Sequence, residues 1–432
     1  MAINSDSTSN QSPSQVSVKL DAIFLEQAHS LIAGGELLPG GVEALAHKLH
    51  QATETRQPLK VKLGLDPTRP DLHLGHVVVL RKLRAFQDLG HQAILIIGDA
   101  TAMIGDPSGR NQTRPPLTEE EVTQNAQTYL DQAGKIIDLN KAKIVRNSDW
   151  FNEIGLGDML KLAGKVTVAQ ILARDDFHKR YTGNQPIHLH EFYYPLMQAY
   201  DSVVLESDIE LGGTDQRFNI LMAREMQLAY GLEHNQLALL MPLLEGTDGK
   251  IKMSKSYPEH CINITDAPND MFGKLMSIPD ELITRYEGLL TPIKPEQVEE
   301  QIRLMKLPPD QGGVNPRDIK IQLAKWIITM FHTIEAANDA ETHFKTVFQR
   351  KEVPDDMPEL TLPGNTDHHL VSLALEQQLT PSKGEARRLI QGGGMKLDGE
   401  KVTEPEYMLN HPAGNSVVLQ VGKRKFLKIT FQ

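Results

Sequence analysis

Residues 61–97 read VKLGLDPTRPDLHLGHVVVLRKLRAFQDLGHQAILII, and the order of patterns in this stretch decides the fold. Val61–Leu65 is short and mostly apolar, as a buried strand is. A polar turn, Asp66–Asp71, follows. Val79, Leu80, Leu83 and Phe86 then recur at helical spacing, and Gly90 stops the helix. Ala93–Ile97 is a second apolar run of strand length. Strand, about four turns of helix and strand again make a right-handed βαβ unit, hence a parallel sheet. In such sheets ligands bind at the carboxyl ends of the strands.

Working outward, residues 117–190 are helix-compatible, with Thr118 ahead of Glu119–Glu121 as a helix start and strand–turn signals around Ile144–Asn147. They read as a helical insertion in a Rossmann-like α/β domain spanning 31–257. Leu237–Leu244 is a further buried strand running into the Gly246–Gly249 turn. Residues 258–350 alternate helical segments with Pro breaks and read as an α-helical domain. Residues 351–366, with Pro354, Pro358 and Pro363, read as a linker. Residues 367–432 read as a small α+β module with terminal strands Ser416–Val421 and Lys425–Phe431. Residues 1–30 read as a flexible tail and the start of a first helix, the polar first 18 residues being disordered and unlike a signal peptide.

The composition agrees with a folded multidomain protein: of 432 residues 40% are apolar and 23% charged, close to ordinary globular usage. A single cysteine, Cys261, excludes an intramolecular disulfide and points to a reducing compartment, the cytoplasm. No apolar run approaches the roughly 18 residues of a spanning helix, so no membrane association is expected. The net charge of −11 is uneven, with +2 on residues 367–432 and −13 on the rest, which suits oriented contact of the last module with a polyanion.

Two motifs carry chemistry. His73-Leu74-Gly75-His76 heads the first helix, where backbone N–H groups are unpaired and the dipole end is positive, so two imidazoles there make an anion site. Gly75, lacking a Cβ, lets a flat ring such as adenine approach the backbone. No third histidine lies near, and Asp71 fits a capping role better than a ligand role, so no protein-bound metal is expected. Far downstream, Lys252-Met253-Ser254-Lys255-Ser256 follows the Gly246–Gly249 turn, and its ammonium and hydroxyl groups could close over a polyphosphate. The pair is best explained as two halves of one nucleotide site. A third pattern is physical: Tyr194, Gln198 and Asp201 fall at i, i+4 and i+7, a polar row on one helix face.

With these motifs the chain resembles class I aminoacyl-tRNA synthetases. Gly105-Asp106-Pro107-Ser108-Gly109, Tyr194–Asp201 and Gly212-Gly213-Thr214-Asp215-Gln216 resemble the tyrosyl-tRNA synthetase signatures in the family's order. Gly105–Gly109 lacks the Gly-Lys-Ser/Thr ending of a P-loop. The resemblance implies a bacterial-type enzyme that activates L-tyrosine with ATP, Mg²⁺ travelling on the ATP, and charges tRNA(Tyr). It implies that His73, His76, Lys252, Lys255, Arg110 and Arg114 serve the phosphates. Gly75, Gly213, Asp215, Met253 and Ser254 would contact the nucleotide. Asp201 would accept from the substrate phenol, Tyr194, Gln198, Asp106 and Asn147 would face its ammonium, Gln216 its carboxylate region, and Asp66 would join the tyrosine site. Arg110 stands where many relatives have lysine, and Lys62 where many have a tyrosine that binds the phenol; a nearby carboxylate is expected to neutralise Lys62.

In the last module Ser382–Ile390 reads as a capped helix. Its Lys383, Arg387 and Arg388, with Lys396 beyond the Gly392–Gly394 turn, resemble an S4-like RNA-binding fold that contacts the RNA backbone. The resemblance further implies a homodimer. Two other readings stand: a tryptophanyl enzyme, disfavoured by the Tyr194/Gln198/Asp201 row, and a catalytically silent RNA-binding paralogue, disfavoured by the intact His and Lys motifs.

Overall fold

The computed structural model describes residues 13–106, 118–254, 257–346, 357–422 and 425–432. They divide into two compact units, one running to Thr333 and the other covering Ile334–Gln432.

In the first unit six strands form one sheet: β1 (Glu36–Leu38), β2 (Lys60–Leu65), β3 (Gln92–Ile97), β4 (Lys143–Arg146), β5 (Ile209–Gly213) and β6 (Leu237–Met241). Their order is β1-β6-β5-β2-β3-β4. β2 to β6 are parallel, and β1 pairs antiparallel with β6 at the edge. The chain runs outward from β2 through β3 to β4, then resumes on the other side of β2 with β5 and β6. That reversal puts a topological switch point between β2 and β5, where a crevice opens at the strands' carboxyl ends. β3 and β6 are buried along almost all their length, as the apolar runs require of strands covered on both faces.

The helices of this unit are α1 (Pro13–Ile32), α2 (Gly41–Thr55), α3 (Leu74–Asp88), α4 (Asp99–Ile104), α5 (Glu119–Ala133), α6 (Ser148–Phe151), α7 (Leu156–Ala163), α8 (Val168–Leu172), α9 (Asp175–Thr182), α10 (Tyr193–Leu205), α11 (Arg217–Ala229), α12 (Pro268–Met276), α13 (Ile283–Leu290), α14 (Pro295–Met305) and α15 (Pro316–Phe331). α1 already begins at Pro13, so residues 13–18 are helical where their polar composition reads as tail. Proline is favoured at a first helical position, and Phe24, Ala28 and Leu31, at i, i+4 and i+7, bury one face of the helix farther on. α3 buries Val77, Leu80, Leu83 and Phe86, and Gly90 ends it at φ 85°. The Pro breaks beyond residue 258 start helices: Pro268, Pro295 and Pro316 open α12, α14 and α15. α13 packs on α3, within the first unit.

The second unit holds α16 (Ile334–Phe344), β7 (Glu359–Leu362), β8 (His368–His369), α17 (Leu370–Glu376), α18 (Lys383–Gln391), β9 (Met395–Leu397), β10 (Glu400–Lys401), β11 (Met408–Leu409), β12 (Ser416–Val421) and β13 (Lys425–Phe431). Five strands form a sheet in the order β10-β9-β12-β13-β7, over a core that includes Val371, Ile390, Leu419, Ile429 and Phe431. The stretch read as a linker therefore contributes β7, which runs parallel to β13 and packs Leu360 and Leu362 against that core. Its first six residues, 351–356, lie outside the described residues. Among the described residues no helix is long and apolar enough to cross a membrane.

Candidate active site

At the switch point a cavity of about 300 Å³ opens, lined by the end of β2, the start of α3, the polar face of α10, the turn after β5 and the loop after β6. His73, Gly75 and His76 line it together with Lys252, Met253 and Ser254, two segments about 180 residues apart in the chain. Lys255, Arg110 and Arg114 lie outside the described residues, as do Pro107, Ser108 and Gly109.

His73 is the N-cap of α3, with an extended backbone. Its Nδ1 accepts from the Gly75 N–H at 3.1 Å, while the Nδ1 of His76 accepts from the His73 N–H at 3.2 Å. The two rings thus form a reciprocal capping box, with centroids 3.9 Å apart. The Leu74 N–H donates to the Ile262 carbonyl at 3.0 Å and the His76 N–H to the His73 carbonyl at 2.8 Å. This corrects the expectation of unpaired backbone donors at the helix start. Because both Nδ1 atoms accept, the neutral rings carry their proton on Nε2, and that N–H is what they can offer an anion. Gly75 is needed by the box itself, since a Cβ there would stand 2.9 Å from His73 Cε1.

Asp66, just past β2, accepts from the Thr101 hydroxyl and from the Tyr194 hydroxyl, each at 2.8 Å. A Cβ on Gly98 would fall 2.1 Å from the Asp66 Oδ1, so the β3–α4 turn must be glycine for this carboxylate to sit there. Burial, with Asp66 and Asp106 nearby, holds the Tyr194 hydroxyl well above its ordinary value, so it remains a donor. Asp106 accepts from the Gln216 Nε2 at 2.8 Å and stands 3.8 Å from the Arg174 guanidinium.

The α10 row enters the cavity as its spacing requires: Tyr194, Gln198 and Asp201 all line it. Asp201 is buried and accepts from the Trp150 indole N–H at 3.0 Å. Burial pushes its carboxyl up to about 7, against the opposing pull of the Lys62 ammonium and the Trp150 hydrogen bond; Glu210 adds to the rise and Asn147 to the pull. Asn147 does not line the cavity. It is 0% exposed, accepts from the Ala100 N–H at 2.9 Å and donates to the Thr101 hydroxyl at 3.1 Å, so it braces α4 and lies beside Asp201.

Lys62 finds its carboxylate in Glu210. The two are register partners on β2 and β5, their charged atoms 3.2 Å apart with the side chains 1% and 3% exposed. Glu210 also accepts from Gln198 at 3.1 Å and from Ser202 at 3.2 Å, and Lys62 donates to the Gln198 carbonyl at 3.3 Å. A buried ion pair adds little net stability, but this one fixes the position of the Gln198 side chain.

After β5, Gly213 brings the backbone close, a Cβ there meeting the Asp215 Oδ1 at 2.6 Å. Asp215 pairs with the Lys252 ammonium at 2.9 Å. Lys252 and Glu245 bridge an antiparallel turn, the Met253 N–H donates to the Leu244 carbonyl at 2.7 Å, and Gly249 turns the chain at φ 70°. The loop after β6 is therefore a tight hairpin that lays Lys252 on the carboxylate of the preceding strand's turn.

Sequence reasoning misses Trp150, Thr101, Arg174, Glu210 and Asn219. Arg174 is buried, pairs with Asp176 at 2.7 Å and donates to Asn219 at 3.1 Å, and Asn219 in turn donates to Gln198 at 2.9 Å. One signal was available: Lys62 and Glu210 are charges of opposite sign set among apolar residues of two strands. In the second unit Lys383 and Arg387 share a face of α18, which Ser382 caps. Arg387 pairs with Glu406 at 3.0 Å and Arg388 with Glu385 at 3.1 Å, while Lys396 is half-buried on β9. Among the described residues no group of three or more metal-ligating side chains assembles.

Residues 54–349 match the family described as tRNA synthetases class I (W and Y), and residues 349–429 match the tyrosine–tRNA ligase SYY-like C-terminal domain. A tyrosine–tRNA ligase of Thermotoga maritima is 53% identical over 372 residues, 86% of this chain and 90% of that protein. One of Carboxydothermus hydrogenoformans is 50% identical over 394 residues, 90% and 94% of the two chains. Among solved structures, a C-terminally truncated mitochondrial tyrosyl-tRNA synthetase of Aspergillus nidulans superposes with a TM-score of 0.60 at 19% identity, over 78% of this chain and 100% of that one.

Proposed function

The chain belongs to the tyrosine–tRNA ligases among the class I tRNA synthetases, and from that premise we propose how its residues divide the work. The enzyme activates L-tyrosine with ATP and then transfers the tyrosyl group to tRNA. In the first step the tyrosine carboxylate attacks the α-phosphorus of ATP and pyrophosphate leaves, with no protein nucleophile. Rate comes from positioning and from donors aimed at the phosphate oxygens.

His73 and His76 present Nε2–H to the phosphates, and the capping box sets that tautomer before any substrate arrives. Gly75 leaves room for the adenine. Lys252, with Lys255 and the Arg110 and Arg114 segment, takes the charge of the departing pyrophosphate, and Mg²⁺ enters on ATP as part of the substrate. Met253, Ser254 and Gly213 line the nucleotide side, and Asp215 accepts from the ribose hydroxyls. Asp201 accepts from the substrate phenol. Tyr194, Gln198, Asp106 and Asp66 surround the ammonium, Gln216 the carboxylate, and Asn147 acts through Thr101 and Asp201. In the second step a hydroxyl of the terminal adenosine of tRNA(Tyr) attacks the adenylate carbonyl and AMP leaves.

The helical segment 258–350 and the module 367–432 bind tRNA(Tyr), the latter through Lys383, Arg387, Arg388 and Lys396. The protein works in the cytoplasm as a homodimer. What supports the dimer is the number of exposed apolar side chains on the helical insertion, where Leu156 is 77% and Leu189 73% exposed and Leu160, Val168 and Tyr181 are exposed as well.

The observation that carries this reading is the convergence of the imidazole box and the Lys252 hairpin on one cavity. His76→Ala tests it. Single-turnover adenylate formation should fall by roughly 100-fold or more, the scale of losing an oriented donor, while tyrosine affinity changes by less than about threefold. Adenylation at the wild-type rate would remove the imidazoles from the mechanism.

A further inference from the structure

A second cavity, of about 430 Å³, lies away from the first, between α3, α15 and the turn that follows α5. Its wall combines cationic and aromatic side chains: Arg81, Arg84 and Lys135 line it together with Trp326 and Met330. Arg84 is engaged by Asp88 at 2.6 Å, which leaves no uncommitted carboxylate in the lining. Lys135 donates to the Phe331 carbonyl at 3.3 Å, which takes one of its three protons.

Arg81 is the unusual member. It is half-buried, and its guanidinium has no hydrogen-bond or ion-pair partner among the described residues. Burial alone pushes it below its ordinary value, so no carboxylate compensates its charge. Its neighbour Lys82 is pushed down to about 8 by burial and then by the Arg81 charge. Lys82 does not line the cavity, but Arg81 does; a fold does not desolvate a guanidinium without cost, and the compensation absent from the protein can come from an anion. Trp326, in the same lining, is 46% exposed, so its indole is open to a flat group.

We propose that this cavity binds a nucleoside monophosphate group, its base lying against Trp326 and Met330 and its phosphate held by Arg81 and Lys135. A planar guanidinium fork matches phosphate oxygens, and an exposed indole accepts any base by stacking. The volume is ample for one nucleotide. The group comes either from free AMP, which the enzyme's own second step releases, or from one residue of an RNA strand.

The experiment uses the full chain with the first cavity filled by a non-reactive tyrosyl-adenylate analogue. AMP and a short single-stranded oligoribonucleotide are titrated separately, following bound ligand by equilibrium dialysis and Trp emission. About one ligand per chain is expected beyond the analogue, with quenching that Trp326→Phe abolishes. Arg81→Gln and Trp326→Ala should each weaken binding about tenfold or more while leaving ATP–pyrophosphate exchange unchanged, which also reports that both variants fold. Binding of AMP identifies free nucleotide as the source, and binding of the oligonucleotide alone identifies a strand. The proposal is overturned if neither binds, if both variants bind like wild type, or if inorganic phosphate displaces the ligand equally well and Trp326→Ala has no effect.

Discussion

Asp201 stands between opposing influences, and its charge decides what the phenol meets. Burial raises its carboxyl to about 7; the Lys62 ammonium and the Trp150 N–H stabilise the ionised form. An ionised Asp201 accepts the phenol hydrogen, so tyrosine should bind more weakly as pH falls through about 7. Trp150→Phe removes a donor that favours the anion, so the midpoint should move to higher pH, by about half to one unit. Calorimetric titration of tyrosine between pH 5.5 and 8.5 measures it, and an unmoved midpoint would separate Trp150 from the recognition of the phenol. At this scale the sequence displays the residues set in motifs: His73, His76, Lys252 and the α10 row. It hides Trp150, Thr101, Arg174 and Asn219. Each of those acts through a partner 21 or more residues away, and no local spacing encodes such a contact.

Among the elements, α13 carries a buried carboxyl, Glu287, with one oxygen lacking a partner beside the similarly orphaned Gln301 Oε1 of α14. Burial raises its carboxyl from the ordinary 4.5 to about 7. The folded state therefore holds this proton more tightly than the unfolded one. The stabilisation that follows is complete below about pH 4.5 and is lost as pH rises through about 7. Glu287→Gln should make unfolding of the first unit less sensitive to pH across that window and raise stability at pH 8 by about 1–3 kcal/mol. Thermal melts at pH 5 and pH 8 report both effects, and a variant no more stable than wild type at pH 8 would contradict it. The longer elements were legible because six or more residues display a period, as in α3, β12 and β13, or an unbroken apolar run, as in β3. β1 and β7 were not, because three or four residues contain too little periodicity to separate a strand from a loop, and their pairing partners lie far along the chain.

For the molecule as a whole, the parallel sheet and the place of the cavity followed from one βαβ pattern, since a switch point has one crevice. The division of the helices beyond residue 258 was less legible. A proline that opens a helix and one that marks a boundary look alike in sequence, and the contact with α3 depends on tertiary packing. Leu156→Glu with Leu160→Glu places two charges on the helical insertion, and a dimer formed there should separate into monomers over the micromolar range, as sedimentation would show. A doubly charged variant that stays dimeric would move the contact to another face.

The Lys252 hairpin rests on Asp215, and that resting place has a consequence for the order of events. On the roles proposed above, the same carboxylate receives the sugar hydroxyls and the same ammonium receives the phosphates. Each group is engaged with the other until a ligand long enough to reach both draws them apart. A triphosphate nucleoside does so from its two ends at once, whereas a bare nucleoside or bare pyrophosphate must disrupt the clasp with only half of the replacement contacts. The pair thus acts as a ruler: it favours the molecule that carries sugar and phosphates together over either fragment.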